Sequence, residues 1–138
     1  MTYGSYSSHR YLETAVRTAT PEQLIVITYE ETIRCLKQAI TQIETKDLEG
    51  KRQSVNRALG MVHHLQSSLD MERGGEISND LRRIYKYVSA QIVEGSMQLK
   101  TDPLNEAIAL LSTLLESWRE VAFRKQQEST ATPANLVG

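Results

Sequence analysis

The sequence predicts an all-α protein, an antiparallel four-helix bundle with a short N-terminal helix or segment packing on it. Apolar residues recur at alternating spacings of three and four along the long segments, as expected for helices that share a core. Helix start and stop residues separate these segments, and the links between them are short. The chain shows no competing alternation of apolar and polar residues, which would indicate strands.

The first long helix is predicted over residues 20–43, and it begins with a strong start signal. Thr20 and Gln23 have the spacing of a capping box, in which each side chain accepts a hydrogen bond from the backbone N–H of the other residue. Pro21 occupies the first helical position, where its missing N–H costs nothing. The start of this helix is therefore defined to within a residue.

Residues 1–19 differ from the rest of the chain because they are rich in Ser, Thr and Tyr. We expect a mobile segment that ends in a short amphipathic helix, too short to persist alone in water. Leu24 and Ile27, almost opposite the core-facing stripe of the first long helix, form the nearest apolar surface on which it could dock. The residues expected to cover that surface are Tyr6, Tyr11, Leu12 and Val16.

Three more helices are predicted, each with its own start signal. Asp47 is expected to cap the second helix. The Gly74–Gly75 pair should supply the next turn, with Ser78 capping the third helix. Asp102 is expected to cap the fourth helix, with Pro103 at its first position.

The length of 138 residues suits one folded domain. We assign the bundle to residues 20–124, because the helical spacing of apolar residues continues to that point. Residues 125–138 lose this periodicity and are polar, so we predict a disordered tail there.

Composition argues against several classes of partner. The net charge of −1 provides no basic surface for nucleic acid or for an anionic membrane. The N-terminus lacks the apolar region of a signal peptide, and no apolar run is long enough to span a bilayer. The single Cys35 excludes an internal disulfide and fits a reducing compartment. We expect a soluble cytoplasmic protein.

No catalytic or metal-binding pattern is evident. The bundle lacks the Glu-x-x-His pairs of di-iron proteins, and Cys35 has no histidine partner that the sequence reveals. The helical spacing puts His64 opposite the predicted core and His63 to its side, so one of them could serve a histidine phosphotransfer domain. Two solvated surface histidines are the interpretation we prefer. We therefore predict no enzymatic activity, no cofactor and no metal site.

The apolar residues exceed what the core needs. The surplus suggests either a groove that binds an amphipathic helix or the interface of a homodimer, and spacing alone barely separates the two. The residues in question are Leu24, Ile27, Val93, Met97 and Leu110.

Three stretches resemble the flagellar secretion chaperone family, FliS. They are Ala-Thr-Pro-Glu-Gln-Leu-Ile at residues 19–25, Leu-Asp-Met-Glu-Arg-Gly-Gly-Glu-Ile at residues 69–77, and Trp-Arg-Glu at residues 118–120. The second is the most specific, because it lies in the correct place between the second and third helices. The resemblance covers roughly residues 6–122.

This resemblance implies a cytoplasmic chaperone of flagellin. Such proteins bind the disordered C-terminal segment of flagellin, prevent its premature polymerisation, and assist its delivery to the export gate of the flagellar type III secretion system. The five surplus apolar residues would then form the flagellin groove, covered in the free protein by the N-terminal segment. The alternatives are a self-associating helical adaptor module and, less favoured, the phosphotransfer domain.

Overall fold

The computed structural model describes the backbone of residues 2–137 and the side chains of residues 10–128. The described backbone forms helices joined by short connectors and contains no strand, which confirms the all-α prediction. The helices are α1 (Thr2–Thr18), α2 (Pro21–Glu44), α3 (Leu48–Ser67), α4 (Gly75–Gln98) and α5 (Thr101–Val137).

Contacts divide the chain into two compact units. The bundle unit, residues 28–115, holds most of α2, all of α3 and α4, and the first part of α5. The terminal unit holds α1, the first turns of α2 and the part of α5 that begins at Glu116. The domain boundaries predicted after residues 19 and 124 stay predictions.

Consecutive helices of the bundle unit run antiparallel. The Ser54 hydroxyl, near the start of α3, donates to Oε1 of Gln42, near the end of α2, at 2.8 Å. Lys51 Nζ, also near the start of α3, lies 3.2 Å from the carbonyl oxygen of Ser96, near the end of α4. Each bond joins the start of one helix to the end of its neighbour, which fixes the antiparallel order.

Gly95 allows α5 to begin close against the end of α4. A Cβ atom at this position would lie 2.9 Å from the carbonyl oxygen of Lys100 and 3.0 Å from Cγ of Leu104. The Gly95 carbonyl accepts from the N–H of Leu99, which is left-handed with φ of 54°, and from the N–H of Lys100. The turn between α4 and α5 therefore depends on a residue without a side chain.

A pair of buried tyrosines links α2 to α4 inside the bundle unit. The hydroxyl oxygens of Tyr29 and Tyr85 are 2.6 Å apart, and the two residues are 0% and 1% exposed. Burial and the neighbouring Tyr29 raise the pKa of Tyr85, so its hydroxyl stays protonated. The other large, fully buried apolar side chains of this unit include Leu36, Val62, Val88, Ile92, Leu104 and Leu111.

Two predicted helix caps are confirmed. The Thr20 N–H donates to Gln23 Oε1 at 3.0 Å, and the Gln23 N–H donates to Thr20 Oγ1 at 3.2 Å, which completes the capping box. Asp47 accepts from the N–H of Gly50 at 3.0 Å at the start of α3. Both caps need only residues within one turn, so local sequence defines them.

The other two predicted caps are wrong. Helix α4 begins at Gly75, and Ser78 is buried within its first turn, where its hydroxyl donates to the Asp70 carbonyl at 2.9 Å. That bond holds the connector between α3 and α4 against the helix instead of capping it. Helix α5 begins at Thr101, so Asp102 and Pro103 both lie inside its first turn.

Both terminal helices are longer than the sequence predicts. Helix α1 already begins at Thr2. Helix α5 continues to Val137, where a disordered tail was expected over residues 125–138. Lysine, glutamine and glutamate, which fill residues 125–128, are favourable helix formers, so the helix extends after its apolar periodicity ends.

Replacing Tyr29 by phenylalanine should destabilise the bundle unit by about 1–3 kcal/mol, because it leaves the Tyr85 hydroxyl buried without the partner described above. The double variant Tyr29→Phe/Tyr85→Phe removes both hydroxyls and should lose less stability than Tyr29→Phe alone. Urea unfolding followed by circular dichroism gives the comparison. A double variant less stable than the single one would contradict the paired-hydroxyl account.

Two glycine-to-alanine changes should have opposite effects. A Cβ at Gly60, exposed in the middle of α3, meets nothing within 4 Å, so Gly60→Ala should stabilise by about 0.5–1 kcal/mol. Gly95→Ala introduces a clash and should destabilise by about 1–3 kcal/mol. Urea unfolding of both variants tests the difference, and equal stability would show that close approach does not require Gly95.

Candidate partner-binding surfaces

An apolar groove lies between α3 and α4 on the outside of the bundle unit. This α3–α4 groove has a volume of about 610 Å³. Val93 and Met97 are 41% and 79% exposed there. The full lining is Leu59, His63, Ser89, Ala90, Val93, Glu94, Met97 and Gln98.

The groove exists because α4 is apolar on two sides. Val88 and Ile92 are fully buried and face the core. Val93 follows Ile92 directly, and Met97 is about one turn after Val93. At about 100° of rotation per residue, both side chains point away from the core-facing side. Ser89 lies between the two sides, and its buried hydroxyl oxygen is without a hydrogen-bond partner among residues 10–128.

The terminal unit contains a second apolar surface, the terminal cleft, of about 380 Å³. Ile27 from α2 and Phe123 from α5 supply its largest apolar side chains, and Phe123 is 60% exposed. Helix α1 contributes only small side chains. The cleft is lined by Ala15, Thr18, Ala19, Gln23, Val26, Ile27, Arg119, Ala122, Phe123 and Gln126.

The five residues predicted to bind a partner do not all line one cavity. Val93 and Met97 line the α3–α4 groove, whereas Ile27 lines the terminal cleft. Leu24 is 37% exposed but lines neither, and Leu110 on α5 is half-buried outside both. Their shared role in flagellin binding stays a prediction.

Three of the four residues predicted as an N-terminal cover, Tyr11, Leu12 and Val16, do not line the terminal cleft. Tyr11 is 80% exposed and Val16 is 43% exposed, whereas Leu12 is half-buried. The side chain of Tyr6 lies outside the described residues. Helix α1 nevertheless borders the same cleft as Ile27, through Ala15 and Thr18.

The remaining reactive side chains are placed as structural or surface groups. Cys35 is 1% exposed, and burial raises the pKa of its thiol, which disfavours the reactive thiolate. His63 and His64 are both exposed, and His63 borders the α3–α4 groove. Among residues 10–128, no cluster of three or more His, Cys, Asp or Glu side chains could hold a metal ion.

Comparison with known proteins identifies the family. The family model described as "Flagellar protein FliS" matches residues 3–136. The chain belongs to the FliS family.

Curated FliS proteins from several bacteria match most of the chain. The flagellar secretion chaperone FliSB of Pseudomonas aeruginosa is 33% identical over 107 residues, which cover 78% of this chain and 85% of the relative. The FliS of Salmonella typhimurium is 28% identical over 112 residues, covering 80% and 83%. The FliS of Campylobacter jejuni is 29% identical over 121 residues, covering 88% and 91%.

Residues 69–77, the stretch with the most specific resemblance to FliS, span most of the connector between α3 and α4 and the first three residues of α4. Asp70 organises it: its Oδ1 accepts from the N–H of Glu72 at 3.2 Å and of Arg73 at 3.0 Å, and its carbonyl accepts from the N–H of Gly74 at 2.8 Å. In this FliS protein the recognisable motif therefore shapes a turn. No helix over the described residues is long and apolar enough to cross a membrane.

Sequence reasoning missed several residues that line the two surfaces of this FliS protein. Leu59 was not among the residues predicted to bind a partner, and Ala15, Thr18 and Ala90 are too small to stand out in an apolar pattern. Phe123 lies within the predicted bundle, residues 20–124, but was not among the residues predicted to bind a partner. A search for a second apolar stripe on each helix would find Phe123, but small lining residues leave no comparable pattern.

Deleting residues 1–18 should expose the terminal cleft, because α1 supplies one of its walls. We expect a gain in the fluorescence of a dye that binds apolar surface, with the bundle unit still helical by circular dichroism. Adding Ile27→Asp to the shortened chain should remove the gain, which would locate the exposed surface. No gain on deletion would contradict a covering role for α1.

Proposed function

We propose that this FliS protein is a cytosolic export chaperone that binds the disordered C-terminal segment of flagellin. It would prevent premature polymerisation and assist export through the flagellar type III secretion system. The observation that carries the proposal is the pair of preformed apolar surfaces, the α3–α4 groove and the terminal cleft, on a helical protein of this family. Its relatives are named flagellar secretion chaperones, which supports the chaperone and export part of the proposal.

The binding step would be coupled folding of the client. An unfolded amphipathic segment lays apolar residues against an apolar groove and becomes helical there. Ordering that segment costs several kcal/mol, so a long apolar interface must offset the cost. Exposed Val93 and Met97 in one surface and exposed Phe123 in the other supply contact area of this kind.

Helix α1 would compete with the client for the terminal cleft. Ala15 and Thr18 already border the cleft, so a client that reaches Ile27 must displace or bypass α1. Displacing α1 would lower the affinity, so weak ligands would not bind. Without a client, α1 would keep the surface covered. The affinity for flagellin should therefore depend on the strength with which α1 is held.

Binding would block polymerisation by occupying a segment that flagellin otherwise uses in the filament. The complex, with its client held unfolded outside the bound segment, would then pass to the export gate. The alternative occupant of these apolar surfaces is a second copy of the chain, which would make the protein a self-associating adaptor. Sedimentation with and without client separates the two possibilities.

The test is calorimetric titration of the full chain with a peptide of the flagellin C-terminus from the same organism. Saturable binding with a gain of helix by circular dichroism is the expected result. Absence of binding by a correctly folded protein would overturn the proposal. Concentration-dependent self-association without peptide binding would favour the adaptor.

Charged substitutions should locate the binding surfaces. We expect Ile27→Asp/Phe123→Asp in the terminal cleft and Val93→Asp/Met97→Asp in the α3–α4 groove each to weaken peptide binding by at least about tenfold, because each places carboxylates in an apolar contact. Ile77→Asp is the matched control: Ile77 is 71% exposed but lines neither surface. Equal binding by either double variant and by the control would remove that surface from the proposal.

A further inference from the structure

The outward face of α4 lines the α3–α4 groove at one end and continues beyond it towards the start of the helix. Residues 82, 86, 89, 93 and 97 recur at spacings of three and four, so they share one face of this helix. Towards the end of α4 this face carries Val93 and Met97, which line the groove. Towards the start of α4 it carries Lys86 and Arg82, both exposed. One continuous helical face therefore has an apolar end and a basic end.

The two basic residues lack a counter-charge. Within residues 10–128, neither Lys86 nor Arg82 forms an ion pair, whereas Arg83 on the next position lies 3.6 Å from the Asp80 carboxylate. Glu94, the acidic residue of the groove lining, lies more than two turns beyond Lys86. The basic end is available to an acidic group from outside the chain.

Helix α3 supplies no carboxylate near the basic end, because its one acidic residue, Glu49, lies at its start. Because α3 and α4 are antiparallel, the start of α3 lies beside the end of α4, as the bond between Lys51 and Ser96 demonstrates. At that end Arg52 is already paired with Glu49. Nearer the basic end, α3 presents His63, which adds no negative charge. Neither helix therefore neutralises Lys86 and Arg82.

We propose that the α3–α4 groove binds its client segment in one direction, with apolar client residues on Val93 and Met97 and Asp or Glu client residues opposite Lys86 and Arg82. The inference rests on the proposed function, because the client is the flagellin C-terminal segment. Seven positions of α4 separate Lys86 from Val93, about 10 Å along the axis. An acidic client residue about two helical turns from the apolar anchor satisfies both ends at once.

Apolar burial would supply most of the affinity, and the charges would supply orientation. Ion pairs at a solvated rim contribute little to equilibrium binding, but like charges brought together by the reversed orientation are unfavourable. The same charges accelerate association at low salt. The basic end would thus select the register of the client without holding it strongly.

The experiment titrates wild-type protein, Lys86→Glu and Arg82→Glu with the flagellin C-terminal peptide at low and high salt. We expect each variant to weaken binding about threefold to fivefold at low salt, mostly through slower association, and less at high salt. Lys37→Glu, an equal charge change at an exposed position of α2, is the matched control and should match wild type.

A second peptide separates this inference from the proposed function. In it, Asn and Gln replace the Asp and Glu residues, so Lys86→Glu should no longer weaken binding. Wild-type binding with equal loss in Lys86→Glu and Lys37→Glu would overturn the inference and leave the chaperone function intact. No wild-type binding would overturn both. If Lys86→Glu or Arg82→Glu altered self-association of the protein and left peptide binding unchanged, the groove would be assigned to a second copy of the chain and the inference would be overturned.

Discussion

The hydrogen bond between the buried hydroxyls of Tyr29 and Tyr85 sets the arrangement of the bundle unit. It joins α2 and α4, which are not consecutive in the chain, whereas the other interhelical bonds described above join neighbours. A buried hydroxyl is costly when unpaired, so the two helices are held at the one relative position in which both are satisfied. That position also determines where the outer face of α4 lies.

A fixed α4 makes the partner surface a preformed one. Tyr85, Val88 and Ile92 are buried on one side of the helix, while Val93 and Met97 remain exposed on the other. The same core contacts that stabilise the fold therefore hold the exposed pair in place. In the proposed complex the groove would need little ordering, so the entropic cost would fall mainly on the unfolded client. The affinity would then respond chiefly to the client's own helical tendency.

The sequence predicted most of the fold, because helical periodicity and caps are local properties. The Thr20 capping box and the Asp47 cap involve residues within one turn, and both were found. Ser78 failed as a cap because its hydroxyl bonds to Asp70 across the connector, which no local pattern reveals. The start of α1 and the extension of α5 were missed because a helix can continue without an apolar stripe.

The candidate surfaces were predicted only in part. Helical spacing identifies residues that point away from the core. Three residues predicted in this way, Val93, Met97 and Ile27, line one of the two cavities. Spacing does not show how much of an outward side chain a neighbouring element covers. Leu110, predicted as exposed surface, is therefore half-buried. Small residues such as Ala15 and Ala90 shape a cavity by leaving space, a property that apolar patterning does not register.

The short connectors of the bundle unit have a consequence for the speed of folding. Thr45–Asp47 joins α2 to α3, and Leu99 and Lys100 join α4 to α5, so most helix pairs meet across little intervening chain. Helical proteins with such local contacts fold in roughly microseconds to milliseconds, because little loop entropy is lost before contacts form. Translation adds residues far more slowly than this. The bundle unit can therefore reach its native state almost as soon as its last residues leave the ribosome.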